Sequence, residues 1–159
     1  MFVSVGTNVE REVNLRRAIA ALKARFGELE MSAVYESKAQ GFAGEPFYNL
    51  VVSLYCRETA AQVAAALKQI ERVHGREPGA RKFAPRTLDL DLLTYGEAPL
   101  DLAGLHLPRA DILRYAFVLR PLAELAPQVR HPRLGKSYGN LWRSFEGDDD
   151  LVPVAITFD

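Results

Sequence analysis

Two periodicities alternate along this chain, and their order constrains its fold more than any other feature of the sequence. Phe2 to Val5 is a short apolar run that stops at Gly6-Thr7-Asn8, where Thr7 and Glu10 have the spacing of a helix-opening capping box. Leu15, Ala18, Ile19, Leu22 and Phe26 then recur at helical intervals, and Gly27 supplies a stop. Ser32 to Ser37 and Phe47 to Cys56 read as strands. A second capping box, Thr59 with Gln62, opens a helix whose buried stripe is Val63, Leu67, Ile70 and Val73 and which ends at Gly75. Thr87 to Tyr95 is again a strand.

Strand, helix, strand, strand, helix, strand is the order of a ferredoxin-like α+β fold, an antiparallel sheet with helices on one side. Beyond it, Pro108, Pro121, Pro127 and Pro132 cut the chain into short segments, with helices expected at Leu122 to Ala126 and Ser137 to Phe145 and a last strand at Leu151 to Phe158. With 159 residues and no internal repeat or linker, the chain is expected to form one domain over residues 1–159, large enough to need no staple. Its single cysteine, Cys56, makes no internal disulfide and fits the reducing cytoplasm. Twenty basic side chains balance twenty acidic ones, which argues against binding nucleic acid through bulk charge. No apolar run approaches the roughly 20 residues of a membrane span.

The segment richest in chemistry is Arg81-Lys82-Phe83-Ala84-Pro85-Arg86-Thr87-Leu88-Asp89-Leu90-Asp91-Leu92. Strand side chains alternate, so Leu88, Leu90 and Leu92 face a core while Asp89 and Asp91 project together from the other side, their β-carbons roughly 6–7 Å apart. A solvated strand face gives the same alternation. Asp, however, is a poor strand residue, and a neighbouring pair repels itself unless a cation lies between. Arg76, Arg81, Lys82 and Arg86 crowd just upstream. Carboxylates that hold Mg²⁺ beside a basic loop that holds a polyphosphate are what phosphoryl transfer requires. The loops Lys38 to Pro46 and Arg76 to Lys82 carry little apolar mass and are expected to close over a nucleotide.

Pro85-Arg86-Thr87-Leu88-Asp89-Leu90-Asp91, together with Gly6-Thr7-Asn8, Pro46-Phe47-Tyr48-Asn49, Ile70-Glu71, Gly75-Arg76 and Phe117-Val118-Leu119-Arg120-Pro121-Leu122, resembles the 6-hydroxymethyl-7,8-dihydropterin pyrophosphokinase family from Val3 to about Pro127. The resemblance implies transfer of the β,γ-diphosphate of ATP to the hydroxymethyl group of the pterin, with release of AMP and two Mg²⁺ ions. It makes Asp89 and Asp91 the metal ligands and assigns Arg76, Arg81, Lys82 and Arg86 to the transferring phosphates. Glu71, Arg109 and Tyr115 fall with Lys82 and Arg86 at ATP. Phe47 and Phe117 match the aromatic pair that sandwiches the pterin, with Asn49, Ser37 and Gly41 around the ring. A monomer taking two small-molecule substrates is expected.

Each assignment has a plainer rival in the residues themselves: Phe47 and Phe117 as core aromatics, Glu71 as a helix end, Arg76 and Arg81 as solvated loop charges. The chain also departs from the family at the phosphates. Arg109 stands where a histidine is common, Tyr115 where an arginine is placed, and Pro78 where a second loop arginine is found. These departures keep open a paralogue acting on a related pterin or a binder without turnover.

Overall fold

The computed structural model describes residues 1–38, 44–74 and 88–158. In chain order these form β1 (Phe2–Thr7), α1 (Arg11–Phe26), β2 (Leu29–Met31), β3 (Val34–Ser37), β4 (Phe47–Leu54), α2 (Ala60–Val73) and β5 (Asp89–Thr94). There follow β6 (Leu100–Leu102), β7 (Leu105–Leu107), α3 (Asp111–Arg114), α4 (Ala116–Leu125), α5 (Tyr138–Arg143) and β8 (Val152–Val154). The main sheet runs β5-β1-β4-β3-β8 with every pair antiparallel, and β2 pairs with the far half of β4. The expected ferredoxin-like order is therefore present, and the two central strands are β1 and β4.

Alternation decides what each face of the sheet meets. Val3, Val5, Leu50, Val52, Leu88, Leu90 and Leu92 pack on one face under Leu15, Ile19 and Leu22 of α1 and Val63 and Leu67 of α2, all buried. On the other face Val51 and Leu93 meet Ile112 of α3, Val118, Leu119 and Leu122 of α4, and Tyr138 of α5. Burying one such side chain stabilises the fold by about 1.5–3 kcal/mol. The Thr59–Gln62 capping box forms in full: Gln62 N–H donates to Thr59 Oγ1 at 3.2 Å and Thr59 N–H to Gln62 Oε1 at 2.9 Å.

Other expectations are corrected. Thr7 does not cap α1, because it is still within β1, buried and paired with Tyr48, and its hydroxyl bonds to Val9. Glu10 precedes the helix in the left-handed region at φ 39°, and Asn14 Nδ2 ties back to the Val9 carbonyl at 2.6 Å. Val73 is not in the buried stripe of α2 but 74% exposed; the stripe runs Ala60, Val63, Leu67, Glu71 instead. Pro121 does not interrupt the chain. It lies inside α4, where its ring removes one helical bond, and the helix persists because Val118, Leu119, Leu122 and Ala123 are buried around it. The last strand is only Val152–Val154, and Leu29–Met31 is a separate strand. The β6–β7 hairpin, turning near Gly104 at φ 75°, has its signal in the alternation of Leu100, Leu102, Leu105 and Leu107. Gly75, expected to stop α2, lies outside the described residues, and His74 closes the helix.

Candidate active site

Three strands bring three residues into one row. Gly6 of β1 pairs with Asn49 of β4 on one side and with Asp89 of β5 on the other. Residues opposed across antiparallel strands face the same way, so the row holds an amide, a gap and a carboxylate, its outer strands about 9–10 Å apart. A β-carbon on Gly6 would lie 3.1 Å from Asn49 Oδ1, so the missing side chain is what lets the amide sit there. Asp91 projects from the same face one row further, opposite Ser4. This is the face that α3, α4 and α5 partly cover.

The Asn49 end is closed by its own neighbours. Asn49 is 6% exposed and donates through Nδ2 to Ser37 Oγ at 2.7 Å, which answers the demand of a buried amide for a partner. Phe47, buried, stands on the same face of β4 two residues before it and pairs with Ser37. Phe117, in the first turn of α4, is half-buried and stacks on Tyr115 with ring centroids 4.9 Å apart at 18°.

The acidic end is looser. Asp91 keeps 22% of its side-chain surface exposed, and its carboxyl is pushed up to about 6, first by burial and then by the charge of Asp89. Arg109 approaches it: Nη1 lies 3.8 Å from Asp91 Oδ1, and Nη2 lies 3.5 Å from Asp111 Oδ2. Burial works against the guanidinium charge, but the two carboxylates outweigh it and raise the Arg109 pKa. Beside this pair, between α2, β5 and the β6–β7 hairpin, opens a cavity of about 370 Å³ lined by Asp91, Arg109, Lys68, Arg72, Leu92 and Leu105 among others. Glu71, 1% exposed, receives Lys68 Nζ at 3.0 Å on the side of α2 turned toward the sheet.

Of the residues singled out in the sequence, Asp89, Asp91 and Arg109 come together, as do Asn49, Ser37 and Phe47. Tyr115, expected beside ATP, is stacked on Phe117, expected beside the pterin. Arg76, Pro78, Arg81, Lys82, Arg86 and Gly41 lie outside the described residues, as do most of the two loops expected to close. Among the described residues no third His, Cys, Asp or Glu joins Asp89 and Asp91 in a metal-binding group. Lys68 and Asp111 are not among the residues singled out in the sequence, and Gly6 is there only as part of the Gly6-Thr7-Asn8 run, without a role in the site. A glycine ending an apolar strand signalled Gly6, and the three-residue spacing to Glu71 signalled Lys68. Asp111 carries no sequence signal.

The 7,8-dihydro-6-hydroxymethylpterin-pyrophosphokinase family model matches residues 2–127. A 2-amino-4-hydroxy-6-hydroxymethyldihydropteridine pyrophosphokinase of Pseudomonas aeruginosa is 39% identical over 137 residues, covering 83% of each chain. Its namesake from Synechocystis is 38% identical over 138 residues, covering 85% of this chain and 70% of that one. The namesake from Bacillus subtilis is 28% identical over 159 residues and 95% of both. In structure, the chain is similar to Plasmodium falciparum HPPK-DHPS, with a TM-score of 0.68 at 14% identity over 91% of this chain. It spans 43% of that longer chain, and the likeness is one of fold. No helix among the described residues is long and apolar enough to cross a membrane.

Proposed function

The chain belongs to the 7,8-dihydro-6-hydroxymethylpterin-pyrophosphokinase family, and from that premise we propose that it transfers the β,γ-diphosphate of ATP to the hydroxymethyl oxygen of 6-hydroxymethyl-7,8-dihydropterin, releasing AMP, as a step of folate biosynthesis. The observation that carries this reading is the row Asn49–Gly6–Asp89: a buried amide suited to a heterocycle edge and a carboxylate pair suited to a hard cation stand on one sheet face, two strands apart.

The acids fit a divalent ion by their chemistry. They offer oxygen donors from one strand face, and burial, then the charge of Asp89, raises the Asp91 pKa, a shift that a cation bound there would oppose. Two Mg²⁺ ions, when bound, would supply the positive charge that offsets a triphosphate. Asp89 and Asp91 would hold them, with remaining ligands from phosphate and water. Lys82 and Arg86, with Arg76 and Arg81, would grip the phosphates and stabilise charge as the bond to the leaving AMP lengthens. Arg109 would add its guanidinium, and Glu71 and Tyr115 would border the nucleotide. Phe47 and Phe117 would hold the flat pterin between rings, while Asn49 reads its edge beside Ser37 and Gly41. Together these groups fix the hydroxymethyl oxygen in line with the phosphorus it attacks, which is where most of the rate comes from in phosphoryl transfer.

On this reading the protein works as a monomer on two small-molecule substrates, ATP and the dihydropterin. The packing of α5 on α4 and of β8 on β3 supports reading residues 1–159 as one unit. Half-buried, unpaired Cys56 fits work in the cytoplasm. Given ATP, Mg²⁺ and the hydroxymethyl dihydropterin, the protein should form AMP and pterin diphosphate in equal amounts by chromatography. Formation of ADP, or no turnover at all, would refute the reading.

A further inference from the structure

Arg109 is near two acids and firmly held by neither. A close guanidinium–carboxylate pair measures about 2.7–2.9 Å, whereas its two contacts, to Asp91 and Asp111, are 3.8 and 3.5 Å. Its Nε is buried with no hydrogen-bond partner among the described residues, an arrangement that is costly to leave unresolved. Arg109 also lines the cavity that Asp91 and Lys68 border. Loose pairing, an orphaned donor and open space in front of it describe a cation with a second position.

Resting on the reading that Asp89 and Asp91 grip a divalent cation, we infer that Arg109 couples metal binding to nucleotide binding by covering Asp91 until a metal ion takes its place and then engaging the triphosphate. Asp91 Oδ1 cannot keep a guanidinium and a divalent cation close by at once, since the two positive charges repel. Metal arriving alone must displace Arg109 and leave it short of an anion. When ATP is present the displaced fork meets phosphate oxygens, which accept from Nη and Nε as a carboxylate does. Each ligand thereby lowers the cost of binding the other, and the effect is reciprocal. Asp111 stays within reach in both positions and keeps the side chain from leaving the site. Arg109 is on this account a positioning residue for the metal, beyond any direct contact with ATP.

The test is Mn²⁺ binding to the full chain, followed by electron paramagnetic resonance with and without α,β-methylene-ATP. Without nucleotide, Arg109→Gln should bind Mn²⁺ about tenfold more tightly than the unaltered protein, and the factor by which the analogue tightens Mn²⁺ should shrink about tenfold. Arg109→Ala should give the same sign should the glutamine variant fold poorly. Lys68→Gln removes another cation that acts on Asp91 but is engaged by Glu71, and it should change Mn²⁺ affinity by less than about twofold. Wild-type Mn²⁺ affinity in both Arg109 variants, or an equal gain in Lys68→Gln, would overturn the coupling while leaving the metal site intact. Asp91→Asn should lose the ion. If it binds Mn²⁺ as before, the metal site falls and the coupling with it.

Discussion

The two ends of the row across Gly6 are finished to different degrees. At one end Asn49 is 6% exposed, satisfied by Ser37 at 2.7 Å and flanked by buried Phe47. At the other, burial and then the charge of Asp89 push the Asp91 carboxyl up to about 6, Arg109 stands at salt-bridge range without closing on it, and its buried Nε has no hydrogen-bond partner among the described residues. The fold itself completes the end proposed to read the pterin, and the ligands complete the end proposed to carry the phosphates. The physical reason is charge. An amide can be satisfied by a neighbouring hydroxyl for the life of the fold, whereas an Asp91 carboxylate closed permanently by a guanidinium would have no use for a metal ion.

Breaking the unfinished end should have the largest effect. Asp91→Asn should lower kcat by at least about 10²-fold, the scale on which a single charge-stabilising group acts, while leaving the melting temperature without metal no lower, because it removes a buried charge beside a like one. A variant that keeps kcat, or that melts well below the parent, would contradict the division. Breaking the finished end should be milder and should act on one substrate. Asn49→Leu removes a buried hydrogen-bonding group of similar shape and should raise KM for the pterin about 10- to 100-fold, with KM for ATP unchanged in steady-state kinetics. Equal losses for both substrates would mean that the two ends are not separable.

The smallest effect is expected away from the row. His131 is buried, and its Nδ1 accepts from the backbone N–H groups of Arg133 and Leu134, both at 3.2 Å. Burial, then the charge of Arg133, lowers its pKa below the ordinary 6.5. The neutral ring is thus favoured in the fold and the unfolded chain binds the extra proton, so this contribution is full above pH 6.5 and is lost as pH falls toward the lowered value. His131→Asn should flatten the acid limb of melting temperature against pH and leave KM for both substrates untouched. An unchanged acid limb would remove His131 from the account.

Much of this was legible in the residues. The βαββαβ order and the facing of Asp89 and Asp91 follow from periodicity alone, because a period of two leaves only one choice of side. Local signals failed where tertiary context overruled them. Thr7 had the spacing of a cap but is consumed by the sheet, and Pro121 had the chemistry of a break but is held in α4 by buried neighbours. Val73 fitted the apolar stripe by type, yet the helix turned Glu71 inward, so a carboxylate is buried as deeply as Leu67 while Val73 faces solvent. The site divided the same way. The pairing of Gly6 with both Asn49 and Asp89 joins residues 43 and 83 positions apart, and no single-chain pattern encodes which strands become neighbours. The looseness of Arg109 is likewise a matter of distances that the sequence does not carry.

Strand β5 makes assembly of the acids an all-or-nothing event. Leucines 88, 90 and 92 interlock with the helices on one side, so sliding the strand by a single residue against β1 would drive both aspartates into hydrocarbon and expose the leucines. A chain that mispairs there forfeits its core along with its chemistry, and folded protein with its acids on the wrong side should not accumulate.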